Sequence, residues 1–155
     1  MKRLASAMLF VLMALVVGLW VLFVGLGCSS KGKGGGERVT APHSVPQLLA
    51  ALDRAEKRLG LEYRGETPIK VSYKTGTHRH KNGWWGEEKT IGGVTSILGG
   101  VNYRGQFITL YEDPKTKAIH DFPAEHEMMR AVLWSHGYRT EAEQNPIMRK
   151  AGWRW

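Results

Sequence analysis

From Leu4 to Gly27 the chain carries no charged residue, and that run decides how much sequence is left to fold. Lys2 and Arg3 precede it, and Val24-Gly25-Leu26-Gly27-Cys28-Ser29-Ser30 closes it. A basic start, an apolar stretch and small residues ahead of a cysteine are the parts of a secretory signal. Residues 1–27 are therefore read as a signal peptide or membrane anchor. The glycine-rich segment that follows, with Lys31-Gly32-Lys33-Gly34-Gly35-Gly36 at its centre, is read as a tether over 28–39, because consecutive glycines have too much conformational freedom to order unaided. One globular domain over 40–155 remains, long enough for a single core.

Cys28 is the only cysteine, so an internal disulfide and the usual paired-cysteine metal sites are excluded. Its setting resembles the lipobox of bacterial lipoproteins. Gly27 matches the position before the cysteine, while Gly25 stands where that family usually has Leu. The resemblance implies that Cys28 is lipidated and becomes the mature N-terminus. The uncharged run is also long enough for an uncleaved anchor, which needs about 20 apolar residues; the small residues around Cys28 favour lipidation. Under both readings the protein meets the membrane through a lipid anchor or an N-terminal helix. The rest of the chain is then extracytoplasmic, in the cell envelope, since positive charge stays inside.

Net charge is +8, and without residues 1–27 it is 20 basic against 14 acidic residues, or +6. The basic residues are scattered rather than gathered on a helix or interleaved with aromatics, so no nucleic-acid partner is expected. A basic envelope domain has anionic lipid or cell-wall polymers within reach, and solubility explains the same charge.

Hydropathy periodicity predicts an α+β domain. Val45, Leu48, Leu49, Leu52, Ala55 and Leu59 recur at helical steps, giving an amphipathic helix from Pro46 to Gly60 with Ser44 as cap. Thr67 to Lys74 alternates as a strand. Asn82-Gly83 marks a turn, and His78 and His80 beside it are read as surface-loop residues, because Arg79 and Lys81 would repel a cation. Thr90 to Gly100 is β-rich and broken by glycine pairs, a bulged strand or a loop crossing close to other backbone. Val101 to Tyr111 reads as a hairpin turning at Arg104-Gly105, and Glu112 to Thr116 as a closing turn. A helix then runs to Gly137, capped by Asp121 or Phe122 with Pro123 in its first turn. A short last helix starts at Asn145-Pro146 and stops at Gly152, and Trp153 and Trp155 are expected to tie down the tail.

The helix after Pro123 carries the chemistry-bearing letters, His126-Glu127-Met128-Met129-Arg130. In the H-E-x-x-H motif two imidazoles four residues apart share a zinc ion while the adjacent Glu activates its water. His126 and Glu127 match; Arg130 occupies the position of the second ligand. With the preceding helix, strands and hairpin, this order resembles the zincin metallopeptidases. The resemblance implies a small zincin-like domain: a mixed twisted sheet, an N-terminal helix, the motif helix and a short C-terminal helix. It further implies Glu127 as catalytic base, His126 as zinc ligand, and an edge strand, Phe107, Ile108, Thr109, Leu110 and Tyr111, that holds substrate as an added strand. His136 stands ten residues after His126, where the metzincin form has its third ligand, although Leu133 replaces the glycine at which that family turns.

Arg130 argues against that chemistry. A guanidinium has five donors and no acceptor and cannot ligate zinc, and ten helical steps of about 100° turn His136 roughly 80° away from His126. A purely structural account pairs Glu127 with Arg130 at i, i+3, worth about 0.2–0.5 kcal/mol, and lays Met128, Met129, Val132 and Leu133 against the sheet. Two functions follow from these residues. One is a membrane-tethered zincin-like metallopeptidase, inactive if the ligand set is broken. The other is a noncatalytic envelope lipoprotein that binds a peptide, a cell-wall fragment or a partner protein.

Overall fold

The computed structural model describes residues 38–102 and 105–154. The uncharged run, Cys28, most of the tether and Trp155 lie outside these residues. Among the described residues no helix is long and apolar enough to cross a membrane.

The domain is α+β. Four strands, β1 (Val39–Thr40), β2 (Ile69–Thr75), β6 (Gly100–Asn102) and β7 (Phe107–Glu112), form a mixed sheet in the order β1-β2-β7-β6. The first three run parallel and β6 antiparallel to β7. A second, antiparallel sheet contains β3 (His78–Arg79), β4 (Trp85–Ile91) and β5 (Val94–Leu98). Three helices complete the described residues: α1 (Val45–Leu59), α2 (Asp121–Ser135) and α3 (Glu141–Lys150).

Alternation along β2 and β7 puts Ile69, Val71, Ile108 and Leu110 on one buried face, while Lys70 and Ser72 between them are exposed. Against that face pack Leu48, Leu52 and Ala55 of α1 and Met128, Met129, Val132 and Leu133 of α2. The period-2 and period-3.6 patterns meet in one core, with Val39 of β1 fully buried within it.

Several expectations shift at element ends. Ser44 adopts φ 59° and makes no side-chain cap bond to α1. The cap of α2 is His120, whose Nδ1 accepts from the Phe122 amide at 3.1 Å. The Thr90–Gly100 stretch is neither bulge nor crossing loop: Gly92 and Gly93, at φ 58° and 80°, form the two-residue turn of a β4–β5 hairpin, a turn that needs positive φ at both positions. Helix α3 starts at Glu141, four residues before Asn145, because Thr140 and Glu143 make a reciprocal capping box; Pro146 then sits inside the helix, at the loss of one backbone bond. Thr140→Ala is expected to cost about 1 kcal/mol, measurable as a lower denaturation midpoint with an unchanged m-value. Trp153 does secure the tail: it is 5% exposed and stacks on Phe122 at 4.7 Å.

The largest correction concerns the expected substrate strand. Phe107 to Tyr111 lies in β7, an interior strand, with Ile108, Thr109 and Leu110 paired to β2 on one side and β6 on the other. Backbone already bonded on both sides cannot take an added strand. The outermost strand on this side is β6.

Candidate functional site

Helix α2 presents Pro123, His126, Glu127, Arg130 and Trp134 at steps of three and four residues. These side chains form one wall of a cleft of about 660 Å³. Gly99 and Gly100, entering β6, form the second wall, and Glu141 and Asn145 of α3 the third. The approach is close enough to require glycine. A Cβ on Gly100 would lie 2.6 Å from Glu127 Cγ, and one on Gly99 2.9 Å from the Trp84 ring.

Arg130 sits at the centre. Its Nε–H donates to His126 Nε2 at 2.9 Å, Nη1 donates to Gln144 Oε1 at 3.2 Å, and Nη2 lies 3.5 Å from Glu141 Oε1. The expected pairing of Arg130 with Glu127 is therefore replaced: the arginine reaches back one turn to the imidazole and across to α3. The Arg130–Glu141 pair is weak, since Glu141 is largely exposed. Burial, with the Arg130 charge beside it, drives the His126 pKa down to about 3. The ring is thus neutral at physiological pH and accepts at Nε2. For the same reason the 3.9 Å approach of His126 to Glu127 is no ion pair.

Glu127 is 5% exposed, and its Oε2 has no hydrogen-bond partner. Burial raises its pKa to about 7, against the lowering effect of Arg130 and with a further rise from Glu141. A cleft carboxyl poised near neutrality is able to give or take a proton. Two more buried atoms without partners, Trp84 Nε1 and Asn145 Oδ1, belong to residues of the same cleft. Arg139 stacks on Trp134 at 4.6 Å and, with Arg149, adds positive charge to the rim.

The other expected site residues lie elsewhere. His136 is the C-cap of α2 and its Nε2 meets the Glu62 carbonyl at 2.7 Å; ten residues of helix separate it from His126 by about 15 Å of rise, too far to share an ion. Ile108 and Leu110 are core, Thr109 Oγ1 bonds Ser72 Oγ at 3.0 Å, Tyr111 donates to Glu87 at 2.7 Å, and Phe107 is exposed beneath Lys70. His78 faces Glu88 at 2.9 Å and His80 stacks on Trp84 at 4.3 Å.

These donors do not fit a catalytic zinc ion. Among the described residues no three His, Cys, Asp or Glu side chains converge, and the Nε2 lone pair of His126 is engaged by Arg130. A three-ligand site cannot be assembled from His126 and Glu127 alone.

Sequence reasoning found His126, Glu127 and Arg130 of α2 and missed Trp84, Trp134, Arg139, Asn145 and Arg149. One signal was present. Pro123, His126, Glu127, Arg130 and Trp134 share a helical face distinct from the Met128, Val132 stripe. The residues from other elements had no spacing rule to bring them there.

No protein-family model, curated protein or solved structure matches this chain.

Proposed function

We propose that this domain is a zincin-like scaffold in which Arg130 stands at a lost metal-ligand position, and that it binds a carboxylate-bearing peptide or cell-wall fragment rather than cleaving one. It would do so in the envelope, tethered through Cys28 or an N-terminal anchor. The observation that carries this reading is the Arg130 Nε–H bond to His126 Nε2: a cation holds the nitrogen that a metal would need. Support comes from the mixed sheet, whose antiparallel outer strand β6 runs beside the motif helix. The cleft also carries three arginines, against an exposed Glu141 and a Glu127 that is about half protonated at neutral pH. Guanidinium groups pair well with carboxylates.

Metal analysis tests the scaffold part. Arg130→His is expected to take up one zinc per chain, with His126 and the nearby Glu141 as further ligands, while the natural chain takes up none. Stoichiometric zinc in the natural protein sinks the proposal, and failure of Arg130→His to gain metal removes the zincin ancestry from it.

The peptidase alternative keeps one observation in its favour, the Glu127 carboxyl with its pKa near 7 in the cleft. Peptide hydrolysis abolished by Glu127→Gln would establish it over binding.

A further inference from the structure

The β4–β5 hairpin projects from the domain. Every residue from Glu87 to Ser96 is exposed, and a Cβ on Gly92 or Gly93 at the turn would meet nothing within 4 Å. Its tip is apolar. Ile91 and Val94 pair across the turn as the last rung of the ladder and are 64% and 69% exposed, the highest values among the exposed large apolar side chains of the described residues. Single apolar residues at a surface are ordinary. Here two stand together at the end of a projection, and the turn itself requires only its two glycines.

Behind the tip comes a polar collar. Thr90 and Thr95 join their hydroxyls at 2.7 Å, and Lys89 pairs with Ser96 in the ladder. The carboxylates lie further back and are engaged: Glu88 faces His78 at 2.9 Å, and Glu87 accepts from Tyr111 at 2.7 Å. An apolar end followed by hydroxyls and an ammonium matches the passage from acyl chains to head groups at a bilayer surface. Ile91 also borders the cleft whose rim holds Arg139 and Arg149 against Glu141, so cations outnumber carboxylates on that rim.

The rest of the chain says what the tip meets. Cys28, which ends the uncharged run, precedes Val39 by eleven residues, at most about 40 Å of extended backbone. A domain of this size has a radius of gyration of about 14 Å, so such a tether lets it turn any side toward the bilayer. A second copy of the chain is the poorer partner. Each copy carries +6 without residues 1–27, a charge that anionic lipid complements and another copy repels.

Resting on the membrane-tether part of the reading above, we infer that the β4–β5 tip is a second membrane contact. Ile91 and Val94 enter the interface of an anionic bilayer, with Lys89 at the level of the phosphates.

The full chain with Val94→Cys, labelled there with a nitrobenzoxadiazole dye, is reconstituted into vesicles of phosphatidylcholine and phosphatidylglycerol and floated on a density gradient. The unsubstituted chain gives the labelling background of Cys28, and Lys57→Cys, on the exposed side of α1, serves as the reference. The label at position 94 is expected to emit to the blue of the reference and to be quenched by doxyl groups on the upper acyl chains, at a depth of about 5–10 Å. Adding Ile91→Asp is expected to abolish that quenching without lowering the denaturation midpoint, because the side chain is exposed. Equal quenching in vesicles of phosphatidylcholine alone overturns the role given to Lys89. A chain that floats while its label at position 94 stays in water overturns the inference and leaves the tether standing. So does a label shielded from water but untouched by the lipid quenchers, which marks a protein partner or a second copy. If the chain does not float, tether and tip contact fall together.

Discussion

Glu127→Gln is expected to stabilise the domain above pH 7, by about 3 kcal/mol relative to its effect near pH 4, at about 1.4 kcal/mol per pKa unit. Glutamine reproduces the neutral carboxyl in shape and has no charge to bury. The natural Glu127 holds its proton up to a pKa of about 7 in the folded state against 4.5 when free. Below pH 4.5 both states are protonated and the residue is neutral in the balance. As pH rises from 4.5 to 7 the unfolded chain ionises first, so stability is lost, and above 7 the full deficit persists. His126 acts in the opposite sense. Its folded pKa is lowered from 6.5 to about 3, so its contribution is present above pH 6.5 and is lost as pH falls toward 3. Between pH 4.5 and 6.5 the two slopes cancel, and the natural protein should show a plateau in denaturant midpoint. The glutamine variant should instead climb through that window. Asp113 and Glu143, both held below the usual carboxylate range mainly by backbone N–H donors, affect both proteins equally and drop out of the difference. Superimposable profiles for the two proteins would mean that Glu127 is ionised and solvated in the folded state.

Arg130→Met is expected to destabilise the domain by about 2–3 kcal/mol at pH 7, the cost of leaving His126 Nε2 and Gln144 Oε1 without their charged donor. Methionine keeps the aliphatic length, so the loss reports the guanidinium rather than packing. The partly exposed contact with Glu141 adds little. The profile should move as well. Arg130 lowers the pKa of both His126 and Glu127, so without it both rise: the acid limb still begins at pH 6.5 but ends at a higher pH and loses less stability, and the alkaline loss extends upward. Urea denaturation across pH measures both effects. A loss of stability with an acid limb of unchanged depth would indicate that Arg130 only ties α2 to α3, without acting on His126 electrostatically.

The residues of α2 show how far the sequence reached. His126, Glu127 and Arg130 stood out because a helix of known period makes i, i+3 and i+4 neighbours legible, and Met128, Met129, Val132 and Leu133 were assigned to the core by the same rule. Which partner Arg130 would choose was not legible. At i−3 and i−4 both Glu127 and His126 are within reach, and the choice depends on Gln144 and Glu141 arriving from α3. The hairpin at Gly105, with φ 67°, was readable from one residue's conformational freedom, while the position of β7 inside its sheet was not. Strand order depends on long-range pairing that no local pattern encodes.

Local chemistry in the sequence thus determined the helices, the β2 strand, the β6–β7 hairpin, the apolar faces and the shared helical face of His126, Glu127 and Arg130. Each rests on spacing within one element. Only the tertiary structure decided that Arg130 binds His126, that Glu127 is buried against Gly100 with its pKa near 7, and that Trp84 and Asn145 join them at one cleft. Burial and desolvation are properties of what surrounds a residue, and those surroundings come from distant parts of the chain.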